Sequence, residues 1–103
     1  MAHLVDIQAC DDPPPVLHVR VGDLLLFAAT GGRVLEGGTT VELVGVFSSG
    51  VISDDGRVLS PAGPPASALF RALQSGQARI EVIRGDPWQA PPEARQIAIV
   101  VGA

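Results

Sequence analysis

Glycine and proline interrupt this chain so often that long helices are not expected over most of its length. Twelve Gly and nine Pro are distributed through 103 residues, and both residue types are unfavourable inside helices. Short runs rich in Val, Ile and Leu lie between these interruptions. Such a chain is expected to form short strands joined by turns.

Several of the apolar runs have the periodicity of half-buried strands, in which side chains alternate between two faces. Residues 16–21 and 78–84 alternate in this way, whereas residues 23–29 are apolar on both faces, as a central strand would be. Residues 67–73 fit either a strand or two turns of helix. Other strand-like runs lie at 3–7, 40–47, 57–60 and 95–101. Seven or eight short strands predict an all-β fold, an Ig-like antiparallel β-sandwich, in a single domain covering residues 1–103.

Turn residues agree with this prediction. Asp55-Gly56 is typical of a hairpin, because Gly adopts the positive φ that such turns require. Glycine pairs at 31–32 and 37–38 predict a solvated loop over residues 30–40, in which Arg33 and Glu36 would pair weakly. The proline-rich segment 11–15 is expected to be extended, because a residue before proline is disfavoured in the helical region. It would carry the chain from one sheet to the other.

Charge excludes several classes of partner. The net charge is −4, and the seven basic residues are all Arg and are scattered, so neither a nucleic-acid surface nor a polybasic membrane patch is expected. The chain as given begins without a signal peptide and has no apolar run near the ~20 residues of a membrane helix. A cytoplasmic protein and a secreted one whose signal has been removed both remain open, and a monomer is expected.

Catalytic and metal-binding patterns are lacking in the sequence. The single Cys10 is followed by two aspartates, which disfavour a thiolate nucleophile. His3, Cys10 and His18 do not have the spacing of a zinc site. We therefore expect no enzymatic activity, no cofactor and no metal.

The second half resembles the chagasin family, Ig-like inhibitors of papain-type cysteine peptidases. The likeness is strongest over residues 60–101. It comprises a Gly-containing loop, an F-x-A-L-x-x-G-x-A-x-I segment, a strand ending in R-x-x-P-W and a closing strand. In this chain they are Ala62-Gly63-Pro64, Phe70 to Ile80, Arg84 to Trp88, and Gln96 to Val101.

The resemblance implies a binding surface made of three loops at one end of the sandwich, which would block the active-site cleft of a peptidase without a covalent step. The loops here would be residues 30–40, 60–66 and 85–92. The N-P-T-T-G motif of the family's first loop is absent, and Thr39-Thr40 is its only counterpart. The implied partner-binding residues are Trp88, Pro87, Asp86, Gly85, Arg84, Gln89, Gly63, Pro64, Thr39 and Thr40. Arg84 and Gln89 would make polar contacts at the edge, and Pro87, Pro91 and Pro92 would set the shape of the third loop.

Two alternatives remain open from the sequence. The lone Trp88 either projects as a binding anchor, a role for which Trp is favoured, or packs over the end of the sandwich and covers residues such as Ile83. The chain is also similar to bacterial Ig-like repeats, through V-G-D-L-L-L-F-A-A-T at 21–30 and A-L-Q-S-G-Q-A-R-I at 72–80. That similarity implies a structural module of a surface or secreted assembly. A sugar or small-ligand site that stacks on Trp88 is a third interpretation.

Overall fold

The structure, a computed structural model, describes residues 2–8, 13–48, 50–59, 66–85 and 93–103. Within these ranges the regular secondary structure consists entirely of strands. They are β1 Leu4–Asp6, β2 Val16–Arg20, β3 Leu24–Ala28, β4 Gly31–Glu36, β5 Val41–Phe47, β6 Val51–Ile52, β7 Val58–Leu59, β8 Ser67–Ala72, β9 Gly76–Arg84 and β10 Glu93–Gly102.

Eight of the strands form two four-stranded sheets. Sheet A has the order β1-β3-β8-β5, sheet B has the order β2-β10-β9-β4, and β6 and β7 pair as a separate hairpin. The prediction of an all-β, Ig-like sandwich is confirmed. Of the two structures predicted for residues 67–73, strand or helix, the strand is the one formed. The hairpin predicted at Asp55-Gly56 is also present.

The sheets are mixed rather than purely antiparallel, which corrects one part of the prediction. β1 runs parallel to β3, and β2 runs parallel to β10. The parallel pairs arise because the chain crosses between the sheets after β1, as the proline-rich segment predicts. Strand β1 belongs to sheet A, whereas β2 belongs to sheet B. A strand that arrives by such a crossing is not bound to the antiparallel pairing that a tight hairpin imposes.

The core lies between the two sheets and is built by alternation along their strands. In β3, Leu25 and Phe27 are buried while their neighbours in the strand are partly exposed. In β9, Ile80 and Val82 are buried in the same alternating manner. Phe27 and Phe70 meet edge to face, with 5.7 Å between ring centroids. Such pairs add stabilisation beyond the area they bury.

Residues 30–40 do not form the predicted loop. Gly31–Glu36 is the edge strand β4 and pairs with β9. Arg33 bonds Glu81 across the strands at 3.0 Å, so the predicted Arg33–Glu36 pair is wrong. The glycine at 32 reflects packing rather than a turn, because a Cβ there would lie 2.9 Å from the Phe70 ring.

Candidate functional site

The connections between strands differ at the two ends of the sandwich. We call one the turn end, because the chain reverses there in the short segments 21–23, 37–40 and 73–75. We call the other the loop end. It carries the β3–β4 connection at 29–30, the β5–β8 connection at 48–66, which contains the hairpin, and the β9–β10 connection at 85–92.

Hydrogen bonds join the described roots of the loop-end connections. The Ala29 amide donates to the Ala66 carbonyl at 3.1 Å, and the Ala66 amide donates to the Phe47 carbonyl at 3.0 Å. Ala29 thereby links the β3–β4 connection to the last described residue before β8. All four bonded groups belong to backbone, so this arrangement does not depend on side-chain rotamers.

Thr30 and Arg84 connect the two sheets at the loop end. The Thr30 hydroxyl lies 3.1 Å from both the Ile83 and the Gly85 carbonyl oxygens, which share its single proton as acceptors. The Arg84 Nε donates to the Ala28 carbonyl at 3.1 Å. Since Ala28 belongs to sheet A and Arg84 to sheet B, this bond spans the sandwich, and the β9–β10 connection starts beside the β3–β4 connection.

A cleft of about 300 Å³ opens between these roots. Its lining residues are Gln8, Ala28, Ala29, Thr30, Ala66, Arg84 and Gly85. A hydrogen bond fixes the side chain of Gln8, because its Oε1 accepts from the Ser67 hydroxyl at 2.8 Å. The cleft therefore combines small apolar side chains with amide, hydroxyl and guanidinium groups.

Four of the ten sequence-predicted site residues lie in the described part of the chain. Arg84 is half-buried and Gly85 is exposed, and both lie at the loop end. Trp88, Pro87, Asp86, Gln89, Gly63 and Pro64 lie outside the described residues. Arg84 and Glu93, the last residue of β9 and the first of β10, pair directly, so β9 ends and β10 begins at the loop end.

Thr39 and Thr40 lie at the opposite pole, which corrects the prediction that loop 30–40 joins the other two. The Thr40 carbonyl accepts a bond from the Leu73 amide, and the Thr40 hydroxyl lies beside Gly76. The eight steps of β9 from Gly76 to Arg84 separate the two ends by roughly 26 Å at about 3.3 Å per residue. The prediction failed because β4 carries the chain away from the loop end before Thr39 is reached.

Ala29 and Thr30 are functional candidates that sequence reasoning did not single out. They form a two-residue connection immediately after a central strand, followed by Gly31. A polar residue directly after a buried strand was the available signal. The glycines that follow obscure this signal, because glycine pairs also indicate a loop.

A buried carboxylate lies at the turn end. The carboxylate of Asp23 is buried and accepts 2.9 Å bonds from the backbone amides of Arg20 and His3. These two amides, that of Arg20 most, hold the pKa of Asp23 below its ordinary value of 3.8, while burial opposes them. Asp23 thus fixes the start of β1 to the β2–β3 turn.

No group of three metal-ligating side chains was found among the residues described. Over the same ranges, no helix is long and apolar enough to cross a membrane. Every buried side-chain nitrogen or oxygen described has a hydrogen-bond partner.

Comparison with known proteins shows a similarity of fold and no significant similarity of sequence. No protein-family model matches it, and no curated protein matches its sequence significantly. Among solved structures, it is similar to the cysteine protease inhibitor EhICP2 from Entamoeba histolytica, with a TM-score of 0.53 and 14% identity over 98% of this chain and 95% of that one. Weaker matches are amebosin, with a TM-score of 0.46 at 14% identity over 98% and 97% of the chains, and a copper(I) form of an amicyanin variant, with a TM-score of 0.39 at 17% identity over 98% and 82%.

Proposed function

We propose that this domain binds a papain-type cysteine peptidase through its loop end and inhibits it by occluding the active-site cleft. One observation carries the proposal: the roots of three connections are hydrogen-bonded together at a single pole, through Ala29–Ala66 and Thr30–Gly85. A scaffold of this kind presents loops side by side at little entropic cost. The fold shared with EhICP2, itself a cysteine protease inhibitor, supports the choice of partner.

The proposed mechanism is steric and non-catalytic. Trp88 acts as the anchor, because an indole buries a large area with few rotatable bonds. The neighbouring Pro87 restricts the backbone before it and lowers the ordering cost on binding. Arg84 and Gln89 contact the partner at the edge of the surface.

In this proposal the remaining loop-end residues contact the peptidase through their backbone groups and set the shape of the binding surface. Asp86 and Gly85 begin the β9–β10 connection, and Gly63 and Pro64 belong to the connection before β8. Ala29 and Thr30 take the place in this surface that the sequence had given to Thr39 and Thr40.

Papain inhibition by the purified chain tests the proposal. Trp88→Ala removes the proposed anchor and is expected to raise the inhibition constant about 30-fold, which corresponds to a hot-spot loss of about 2 kcal/mol. Leu73→Ala is the matched control, since it truncates a side chain that is 38% exposed at the turn end. It should leave inhibition unchanged. Absence of inhibition by the wild-type chain at high concentration would exclude the proposal and favour the structural Ig-like module.

Fluorescence of the single Trp distinguishes the two interpretations of Trp88. An anchor available to a partner is quenched by acrylamide at nearly the rate of a free indole, and the quenching falls when papain is added. A Trp packed over the sandwich is poorly quenched, and Trp88→Ala then costs about 3–5 kcal/mol of stability. Poor quenching together with such a loss would remove Trp88 from the proposed surface.

A further inference from the structure

One row of residues extends across sheet A at the point where its strands meet the loop end. Ala28 ends β3, Ser67 begins β8 and Phe47 ends β5, and Ser67 is paired with both of the others in the register. Gln8, two residues after β1, continues the row to the other edge of the sheet. We call Gln8, Ser67 and Phe47 the rim row.

Gln8 reaches the loop end because β1 runs parallel to β3 and therefore towards the same pole. Asp6 lies opposite Leu26, and the Ile7 amide donates to the Leu26 carbonyl at 2.8 Å. The chain is held there, since Ile7 is buried in the core. An antiparallel β1 would have carried the same residue to the turn end.

Hydrogen bonds set the position of Gln8. Its backbone amide donates to Asp6 Oδ1 at 2.9 Å, and its side-chain Oε1 accepts from the Ser67 hydroxyl at 2.8 Å. Strand β3 lies between β1 and β8, so the Gln8 side chain reaches across the small side chain of Ala28 to Ser67. The Nε2 group carries two protons. No described residue accepts a bond from it, and Gln8 is exposed.

Phe47 is the apolar member of the rim row. Its side chain is 46% exposed, and its ring lies over Gly45, 3.0 Å from the position that a Cβ would take. The Phe47 carbonyl accepts from the Ala66 amide at 3.0 Å, so the residue is tied to the root of the next connection. Phe is enriched at protein interfaces relative to the rest of the surface.

The rim row is continuous with the loop-end cleft. Gln8 and Ala28 line the cleft, and Ser67 and Phe47 are the chain neighbour and the hydrogen-bond partner of the lining residue Ala66. Three strand spacings of about 4.8 Å separate the ends of the row by roughly 14 Å. A peptidase surface that closes over the cleft therefore meets an amide donor at one edge of sheet A and an aromatic ring at the other.

We propose that the rim row extends the peptidase-binding surface onto the end of sheet A. Nε2 of Gln8 donates to an acceptor oxygen of the peptidase, and Phe47 packs against an apolar part of its surface. Ser67 is a positioning residue, because it acts through the side chain of Gln8. The extension rests on the proposed inhibitory function and adds contacts from strand ends to those of the three connections.

Gln8→Glu tests the amide donor. Glutamate keeps an oxygen for the Ser67 hydroxyl but has no amide protons, so an acceptor on the peptidase is left unpaired. The inhibition constant for papain should rise at least about tenfold. Gln74→Glu is the matched control, since it makes the same exchange and the same change of charge at an exposed site in the turn end. It should leave inhibition within about twofold of the wild type.

Phe47→Ala tests the apolar contact and should raise the inhibition constant about tenfold. Leu4→Ala is the matched control, because it truncates a side chain that is 60% exposed in the same sheet but at the turn end. It should inhibit as the wild type does. If Phe47→Ala fails to fold by circular dichroism, Phe47→Leu takes its place, with an expected rise of about threefold.

A double-mutant cycle tests the positioning role of Ser67. Ser67→Ala alone should raise the inhibition constant about threefold, because the Gln8 side chain loses its anchor. In a Gln8→Ala background the same substitution should have no further effect on inhibition, since no amide remains to be positioned. Fully additive effects would show that Ser67 does not act through Gln8.

The side-chain amide signals of the labelled chain report the contact directly. The chain has five Gln and no Asn, so the primary-amide region of its spectrum contains five pairs of signals. The pair from Gln8 should shift when inactivated papain is added, and the pair from Gln74 should not.

The rim row and the proposed function fail in different ways. A wild-type chain that does not inhibit papain overturns both. If the wild type inhibits, the rim row alone is overturned when Gln8→Glu is as strong an inhibitor as Gln74→Glu, or when the Phe47 variant is as strong as Leu4→Ala.

Discussion

The two ends of this sandwich are built differently from the same strands. At the turn end three connections of three or four residues reverse the chain, and Asp23 and Thr40 bond neighbouring backbone groups there. At the loop end the connections at 48–66 and 85–92 are long, and hydrogen bonds join their described roots. A short hydrogen-bonded turn offers few residues to a partner, whereas a long connection on a fixed root contains many more.

This difference implies a division of roles. Substitutions of buried or hydrogen-bonded groups at the turn end should reduce the free energy of unfolding and leave binding intact. Substitutions at the loop end should cost less stability and affect binding.

Gly37→Ala should destabilise the protein by about 3–4 kcal/mol. Gly37 has a φ of 80°, and a Cβ there would lie 2.6 Å from the Gln77 carbonyl oxygen, so strain and overpacking add. Gly85→Ala at the loop end is the matched comparison. Its φ is 99°, but no described atom lies within 4 Å of the Cβ position, so a loss of only about 1–2 kcal/mol is expected. Urea unfolding that gave equal losses would contradict the division.

Asp23→Ala should cost about 2–3 kcal/mol at pH 7, because it leaves the Arg20 and His3 amides without their acceptor. Chemical denaturation of the variant and of Asp23→Asn, which keeps one acceptor oxygen, gives the comparison. The Asn variant should fall between the wild type and Asp23→Ala. If Asp23→Ala were as stable as the wild type, the carboxylate would not be a structural element of the turn end.

The same carboxylate predicts a loss of stability in acid. The pKa of Asp23 is lower in the folded state than its ordinary value of 3.8, so the unfolded chain binds the proton more tightly. The stabilisation is therefore complete above about pH 4 and is lost as the pH falls below 3.8 through the folded-state pKa. Between pH 5 and pH 2 the wild type should lose more stability than Asp23→Ala. Parallel pH curves for the two proteins would be inconsistent with this linkage.

Thr30→Val should cost about 1 kcal/mol, since it removes one hydroxyl that donates to the Ile83 and Gly85 carbonyls. The shape of the side chain is nearly conserved, so packing contributes little. Because the Thr30 bond holds the start of the β9–β10 connection, papain inhibition should weaken as well, by several-fold. Unchanged inhibition would show that this bond does not position the binding surface.

Thr39→Ala should have the smallest effect, within about 0.5 kcal/mol of the wild type, because Thr39 is exposed in a turn. Papain inhibition should be unchanged, since Thr39 lies at the turn end. A several-fold loss of inhibition would restore the assignment made from the sequence.

The alternation of β2 and β9 was predictable because burial on one face imposes a period of two on the sequence itself. Residues 16–21 and 78–84 carry that period, and the structure buries Val19, Ile80 and Val82. The crossing between sheets after β1 was also predictable, since consecutive prolines limit what the segment can do. Both features depend on residues that are close together in the sequence, so a short segment is enough to predict them.

Strand β4 and the position of Thr39 were not predictable in the same way. Gly32 is a glycine because the Phe70 ring, 38 positions away in the chain, lies where its Cβ would be. The role of Asp23 depends on the amide of His3, 20 positions earlier. Long-range contacts of this kind leave no periodic pattern in the sequence, so a strand that begins with two glycines is easily mistaken for a loop.

Amide chemical shifts of the labelled chain, recorded while inactivated papain is added, test most directly that the loop end is the binding surface. The account predicts shift changes at Ala29, Thr30, Ala66 and Gly85, with Thr39, Leu73 and Gly76 unaffected. Changes confined to the turn end, or no change at any amide with papain in excess, would contradict it.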